Sequence, residues 1–116
     1  VKMGVDCVVV SNHGGRQLDG AIASLDALPD VIQAVNGKAE VIVDGGVRRG
    51  GDVVKALALG ARAVIVGRAT LYGACAGGEA GAKKALSILT DELRRTMQLC
   101  GVTRIDQIGP GLISRR

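Results

Sequence analysis

The sequence has 116 residues, 47% hydrophobic and 22% charged, with 18 glycines, one tyrosine and no phenylalanine or tryptophan. This length fits one domain and argues against two. The high hydrophobic content excludes a disordered chain. Because aromatic residues are nearly absent, small aliphatic side chains must fill the core. The formal net charge of +4 comes from scattered arginines without aromatic stacking platforms, which argues against nucleic-acid binding and favours a phosphate-binding pocket.

The three cysteines, Cys7, Cys75 and Cys100, are widely spaced and form no CxxC pair. An odd number of cysteines in apolar or small-residue surroundings predicts reduced, buried thiols in a cytoplasmic setting. No apolar run approaches the roughly 18 residues of a membrane-spanning helix. The chain begins at Val1 rather than Met, in residues typical of the tail of a helix, so we expect that further sequence precedes Val1.

The first strand and helix are predicted before residue 38. Residues 5–11, VDCVVVS, are a β-branched apolar run that ends in a glycine-rich turn, which predicts a strand buried on both faces. From Ser24 to Gly37 the chain carries a capping-type serine, apolar residues at helical spacing and a terminal Asn-Gly pair, which predicts a helix. Pro29 is tolerated there if the regular turns begin near it.

The same order of strand and helix then repeats. Residues 40–46, EVIVDGG, predict a second strand. Residues 50–60, GGDVVKALALG, predict an amphipathic helix that Asp52 helps to cap and that Gly60 ends. Residues 61–69, ARAVIVGRA, predict a third strand.

A long amphipathic helix is predicted over residues 81–101, followed by a short helical turn and a tail over residues 102–116. Its apolar residues recur at Leu86, Leu89, Leu93 and Met97. Three strand–helix units in succession imply parallel strands joined by right-handed crossovers. The predicted fold class is therefore α/β.

Each predicted strand ends in a polar turn, and parallel strands place such ends at one edge of the sheet. The turns are SNHGGR at residues 11–16, DGGVRR at residues 44–49 and GR at residues 67–68. Glycines let backbone N–H groups approach an anion, the following helix presents its positive end, and Arg48 and Arg68 supply charge-assisted hydrogen bonds. Alone, each turn would be ordinary, but the second and third turns together predict a phosphate site.

The first of these turns contains the only histidine of the chain. A neutral His13 imidazole can accept a proton and the Arg16 guanidinium can bind a carboxylate, so the pair suits proton abstraction from a small acid. A lone histidine is more often structural, but its place between strand and glycines favours the functional interpretation. Asp19 either orients this loop and Arg16 or has no catalytic role. Asp44 either accepts hydrogen bonds from ligand hydroxyls, which we favour, or caps the next turn.

The segments SNHGGRQLDG, DGGVRRGGDVVKALALGA and VGRATLYG resemble the FMN-dependent α-hydroxy acid dehydrogenase and oxidase family. That family includes glycolate oxidase, lactate dehydrogenases and mandelate dehydrogenases. The segments EAGAKKAL and MQLCGVTRIDQI extend the resemblance over nearly the whole chain. The DGG and GR turns occur in many phosphate-binding barrels, whereas SNHGGRQLD is a specific signal.

The resemblance implies FMN as cofactor and oxidation of an (S)-2-hydroxy acid such as lactate, glycolate or mandelate to the 2-oxo acid. It implies that His13 is the base and that Arg16 binds the substrate carboxylate. It also implies that Asp44 contacts the ribityl chain of FMN. The phosphate of FMN would be held by Gly46, Arg48, Gly67 and Arg68. Hydride and carbanion routes both stay open, and the electron acceptor would be oxygen, a quinone or a cytochrome.

Members of this family form a (β/α)8 TIM barrel, typically of about 250 residues, and the sequence resembles only its last three strand–helix units. We therefore expect residues 1–116 to be the C-terminal fragment of one FMN-binding barrel domain, inactive alone, from a tetrameric parent. The family's substrate-binding tyrosines have no counterpart, since Tyr72 follows the third strand. The expected location is cytoplasmic, or peripheral at the inner membrane because GRATLYG resembles the membrane-associated bacterial dehydrogenases.

Two other interpretations stay open. Another FMN- or phosphate-binding barrel enzyme, such as an isomerase or a nucleotide dehydrogenase, would keep the DGG and GR turns but would not need His13 and Arg16 together. A non-enzymatic truncated remnant would bind phosphate weakly or pack against a partner that supplies the missing strands.

Overall fold

Three parallel strands form a single sheet in the part of the chain that the computed structural model describes, residues 2–114. The strands are β1 (Cys7–Val10), β2 (Glu40–Asp44) and β3 (Ala63–Ile65), and they lie side by side in this order. Both strand pairs are parallel, which confirms the predicted α/β class. Because all three strands run in one direction, their carboxyl ends lie at the same edge of the sheet.

A helix follows each strand. The helices are α1 (Ser24–Val35), α2 (Gly50–Ala58) and α3 (Arg68–Leu99). Three short 3₁₀ turns complete the described secondary structure, at His13–Gly15, Ile105–Gln107 and Pro110–Leu112. None of the helices within residues 2–114 is long and apolar enough to cross a bilayer.

The third strand is shorter than the predicted range of residues 61–69, and α3 begins earlier than predicted. β3 ends at Ile65, because Arg68 and Ala69 already belong to the first turn of α3. The helical angles of α3 are interrupted at Gly77 and Gly78, and Gly73 and Gly81, on either side of that break, lie in close contact. The sequence predicted only the second part.

The core lies between the sheet and the helices on one of its faces, and it is built from small aliphatic side chains as the composition predicts. The buried residues of the main cluster are Val10, Leu28, Val35, Val41, Val43, Ala56 and Ala61. A second cluster joins α2 to α3 and to the C-terminal turns through Val54, Ala58, Met97 and Ile108. The helices therefore cover one side of the sheet.

The other face of the sheet is open. Val9 of β1 is 48% exposed and Ile65 of β3 is 46% exposed, so the prediction that the first strand is buried on both faces is wrong. The predicted burial of the cysteines is also wrong: all three are free thiols, but Cys7 and Cys75 are exposed and Cys100 is half-buried. Cys7 alternates with Val8 on β1 and shares the open face with Val9.

Gly50 lies where α2 contacts α3: a Cβ placed on it would be 2.1 Å from the Leu93 nitrogen. A Cβ on the neighbouring Gly51 would meet nothing within 4 Å. We predict that Gly50→Ala lowers the free energy of unfolding by about 2–3 kcal/mol through overpacking. Gly51→Ala should raise it by up to about 1 kcal/mol, since alanine replaces glycine in a helix. Urea denaturation followed by circular dichroism measures both, and equal effects would contradict the close contact.

Candidate functional site

A cleft of about 660 Å³ lies at the carboxyl edge of the sheet, and all three strand ends contribute to its lining. Tyr72 of α3 also lines it, although the sequence analysis assigned that residue no role. The candidate residues that the structure brings together in this cleft include His13, Arg16, Asp44, Gly46, Arg48, Gly67 and Arg68. The predicted convergence of the three turns is therefore observed.

The His13 turn is held in shape by its own polar side chains. Ser11 Oγ accepts a hydrogen bond from His13 N–H at 3.0 Å, and Asn12 Oδ1 accepts one from Gly14 N–H at 2.9 Å. His13 has a φ of +51°, a left-handed backbone that costs a non-glycine residue roughly 1 kcal/mol and that concentrates at functional sites. The turn therefore holds the backbone of His13 in a conformation that a non-glycine residue would otherwise avoid.

Asn12 and Ser24 fasten this turn to α1. Asn12 N–H donates to Ser24 Oγ at 3.1 Å, and Asn12 Nδ2 donates to the carbonyl of Ile22 at 3.3 Å. The predicted capping role of Ser24 is wrong, because Ala23 occupies the cap position and forms no side-chain cap bond. Ser24 is buried, and its hydroxyl serves the His13 turn instead. The sequence did not single out Asn12, which carries no signal beyond its polarity.

Gln17 lies beside the imidazole, and its Oε1 contacts His13 Nδ1. With Nδ1–H donating to this oxygen, which can only accept, Nε2 would keep its lone pair. Nε2 is therefore the ring atom that can take up a proton. The sequence missed Gln17, for which the only signal is its position four residues after the histidine. Asp19 is exposed and forms no ion pair with Arg16 among residues 2–114.

Glycines allow the three turns to touch. A Cβ on Gly45, whose φ is +91°, would lie 3.0 Å from Ser24 Oγ and 3.1 Å from Asn12 Oδ1. A Cβ on Gly14, whose φ is +67°, would lie 2.9 Å from a guanidinium nitrogen of Arg68. The first turn therefore contacts both the second turn and the third.

The two consecutive arginines of the second turn have different surroundings. Arg48 lines the cleft, and neither Arg48 nor Arg68 pairs with a carboxylate within residues 2–114. Arg49 instead pairs with Glu92 of α3, with an Nη2–Oε1 distance of 2.9 Å and an Nε–Oε2 distance of 3.1 Å. Two unpaired guanidinium groups are thus left to face an anion in the cleft.

The N-terminus of α2 is already occupied by two carboxylates. Asp52 caps it as predicted, since its Oδ2 accepts the N–H groups of Arg48 and Arg49 at 3.1 and 3.0 Å. Glu92 Oε2 accepts the N–H of Gly50 at 2.9 Å. The expectation that the helix after the DGG turn presents its N-terminus to the phosphate therefore fails for α2. The end that fits is that of α3, which begins after Gly67 with no side-chain cap.

Asp44 lies at the end of β2, and its Oδ1 is buried without a hydrogen-bond partner among the described residues. A buried acceptor that lacks a donor costs about 1–3 kcal/mol. A ligand hydroxyl at this edge of the sheet would satisfy it, which favours the ligand-binding alternative over a capping role. With two unpaired arginines and the start of α3 nearby, the cleft fits a ligand that carries hydroxyl groups and a phosphate, as FMN does.

Comparison with known proteins identifies the family of the chain. The profile of the FMN-dependent dehydrogenase family matches residues 1–115. L-lactate oxidase from Nostoc sp. is 57% identical over 108 residues, which are 93% of this chain and 30% of that protein. 2-Hydroxyacid oxidase 2 from Rattus norvegicus is 56% identical over 113 residues, which are 97% of this chain and 32% of that protein. The chain thus spans about a third of the length of the curated relatives it matches.

Solved structures of similar sequence share the fold. The monotopic membrane protein (S)-mandelate dehydrogenase superposes with a TM-score of 0.93 at 43% identity, covering 99% of this chain and 30% of that one. A mandelate oxidase variant with a monooxide FMN adduct superposes with a TM-score of 0.86 at 48% identity, covering 90% of this chain and 33% of that one. Fold and cleft define an α/β protein with a cleft at the carboxyl edge of its parallel sheet, lined by Arg48 and Arg68. The chain belongs to the FMN-dependent dehydrogenase family, which confirms the predicted family and FMN as its cofactor.

The contact between the first and second turns can be tested with two neighbouring glycines. Gly45 and Gly46 both have positive φ, but a Cβ on Gly46 would meet nothing within 4 Å. Backbone strain should lower the free energy of unfolding of both alanine variants by about 1 kcal/mol or more. We predict that Gly45→Ala lowers the free energy of unfolding by roughly another 1–2 kcal/mol, because the added Cβ would push Asn12 and Ser24 away. Chemical denaturation compares the two variants, and a Gly46→Ala variant as unstable as Gly45→Ala would rule out the contact.

Glu92 should make stability depend on pH. The Gly50 N–H that it accepts, and then the Arg49 guanidinium beside it, hold the pKa of Glu92 below its usual value of 4.5, although burial opposes them. Because the folded pKa is the lower one, the stabilisation is fully present above about pH 4.5 and is lost as the pH falls through the folded pKa. The gap in unfolding free energy between wild type and Glu92→Gln should therefore shrink with acid in urea titrations. Glu79→Gln, which removes an exposed ion pair with Lys83, is the control and should show little change.

Proposed function

We propose that this chain is the C-terminal part of an FMN-dependent enzyme that oxidises an (S)-2-hydroxy acid to the 2-oxo acid. The observation that carries the proposal is that His13, Arg16 and the unpaired Arg48 and Arg68 line one cleft with Asp44. The relatives support the substrate class, since their names refer to L-lactate, 2-hydroxy acids and mandelate.

The cleft offers a donor or acceptor for each polar part of FMN. Arg48, Arg68 and the start of α3 would hold the phosphate, and Gly46 and Gly67 would let the backbone approach it closely. The buried Asp44 Oδ1 would accept hydrogen bonds from hydroxyls of the ribityl chain. When bound, FMN supplies a two-electron acceptor, and the chain's own residues orient the substrate beside it.

The side chains of the first turn would handle the substrate. The Arg16 guanidinium would bind the carboxylate through two parallel hydrogen bonds, which fixes the position of the neighbouring α-carbon. A 2-hydroxy acid loses two electrons and two protons when it becomes a 2-oxo acid. His13 Nε2 would take up one of these protons, and Gln17 would hold the tautomer that keeps this atom free.

The open face of the sheet supports the proposal that the three strand–helix units are the last three of a (β/α)8 barrel. Val9 and Ile65 lie exposed on that face, β1 and β3 are unpaired edges within residues 2–114, and the matched relatives are about three times longer. Further strands of the barrel would cover this face and pair with both edges. The electron acceptor, the tetrameric parent and its cytoplasmic or peripheral membrane location stay predictions from the resemblance.

The activity can be tested in a chimera in which this chain replaces the matching third of a 2-hydroxyacid oxidase. We expect the chimera to bind FMN and to oxidise a 2-hydroxy acid. His13→Asn should lower kcat by about 10²–10⁴-fold with the flavin retained, since the proton acceptor is lost. Arg16→Lys should lower kcat/KM, because an ammonium group cannot bind a carboxylate in the same two-point geometry. Steady-state kinetics and the flavin absorbance measure both effects.

The matched control is Arg94→Lys, an exposed arginine of α3 that pairs with Asp91 outside the cleft; its kinetics should equal those of the unmodified chimera. A chimera that keeps its flavin and turns over equally well without His13 would refute the proposed base. A chimera that binds flavin but ignores Arg16→Lys would favour another phosphate-binding barrel enzyme. The 116-residue chain alone should show no FMN-linked oxidation, and turnover by it would contradict the fragment hypothesis.

A further inference from the structure

The DGG turn is followed by two consecutive arginines, and the structure gives them different positions. Arg48 lines the cleft, whereas Arg49 does not. The guanidinium of Arg49 reaches across to α3 and makes two contacts with the Glu92 carboxylate, of 2.9 and 3.1 Å. A two-point contact of this kind fixes the orientation of both groups. Arg49 is thereby kept out of the space that Arg48 faces.

The same carboxylate also holds the backbone of α2. Glu92 Oε2 accepts the N–H of Gly50 at 2.9 Å, and a Cβ on Gly50 would lie 2.4 Å from the Glu92 carbonyl carbon. The negative charge of Glu92 therefore lies at the positive end of α2, where it is favourable. Because Gly50 is only two residues after Arg48, this contact fixes the point from which the second turn extends into the cleft.

Asp52 completes the arrangement from within α2. Its Oδ2 accepts the N–H groups of Arg48 and Arg49, so Asp52 and Glu92 together accept from the three consecutive amides of residues 48–50. An anion in the cleft cannot use these donors unless it displaces a carboxylate. What the segment can offer such an anion is the Arg48 guanidinium, which lines the cleft together with Arg68.

We propose that Glu92 is a positioning residue for the phosphate-binding turn. Glu92 does not line the cleft and acts through Arg49 and Gly50: it keeps Arg49 away from the ligand and anchors the turn that presents Arg48. The anion then meets Arg48, Arg68 and the start of α3, and not the start of α2. The anchoring follows from the contacts alone, whereas the identity of the anion as the phosphate of FMN rests on the proposed function.

Amide hydrogen exchange in the 116-residue chain, resolved by NMR, tests the anchoring without any ligand. In Glu92→Ala the Gly50 amide should exchange roughly tenfold faster, the scale expected for loss of a hydrogen bond to a charged acceptor. The acceleration should be largest over residues 46–51 and clearly smaller at Val43, whose exchange reports only the change in global stability. Glu92→Gln, which keeps an acceptor for Gly50, should restore much of the protection. Asp91→Ala, which removes the neighbouring exposed carboxylate, is the matched control and should have no effect.

Two results would overturn the anchoring role. One is unchanged exchange at Gly50 in Glu92→Ala, and the other is uniform acceleration that includes Val43, since Glu92 would then act on global stability only. If Glu92→Ala does not fold, Arg49→Ala provides the second variant. It leaves the Gly50 bond in place, so only the residues of the turn before Gly50 should exchange faster.

Titration of the wild-type chain with inorganic phosphate tests the second half of the proposal. We expect chemical-shift changes at the Arg68 and Ala69 amides and at the Arg48 side chain, but not at Gly50. Changes centred on Gly50 would overturn the statement that the start of α2 is closed to the anion. The absence of any phosphate-dependent change would count against the phosphate site of the proposed function, and the exchange measurement would still decide the anchoring role.

Discussion

The candidate site depends on the close approach of three strand ends, and that approach depends on glycines that leave no room for a Cβ. Parallel pairing brings the ends of β1, β2 and β3 to one edge, but pairing alone would leave their turns apart. Gly45 packs against Asn12 and Ser24, and Gly14 packs against the guanidinium of Arg68. The imidazole of His13 and the guanidinium groups of Arg16, Arg48 and Arg68 thereby come to share one cleft.

A second constraint is that the sheet is covered on one face only. Val41 and Val43 of the middle strand are buried, because both side chains belong to the core cluster that includes Leu28 of α1 and Ala56 of α2. Val9 and Ile65 point the other way and stay exposed, although they are as apolar as the core residues. An apolar, β-branched strand face open to water is unfavourable by the hydrophobic effect, and further barrel strands in a longer protein would remove that cost.

Local sequence signals predicted the elements well and their contacts poorly. The β-branched runs and the Asn-Gly end of α1 depend on neighbouring residues, so they could be recognised along the chain. The burial of β1 on both faces could not, since the apolarity of a strand does not say whether other elements of the described chain cover both of its faces. Ser24 has the chemistry of a helix cap, but a tertiary contact with Asn12 uses its hydroxyl. Glu92 could not be found at all, because its partner Arg49 lies 43 residues away.

The different contacts of Arg48, which lines the cleft, and Arg49, which pairs with Glu92, show why a glycine turn followed by a helix is not by itself an anion site. The N-terminus of α2 has the positive potential that such sites use, yet Asp52 and Glu92 already accept from its first amides. Their two negative charges would repel a phosphate placed there. Asp52 also accepts the N–H of Arg48, whose side chain lines the cleft together with Arg68. The carboxylates that close the N-terminus of α2 to the ligand therefore direct the anion toward the N-terminus of a different helix, α3.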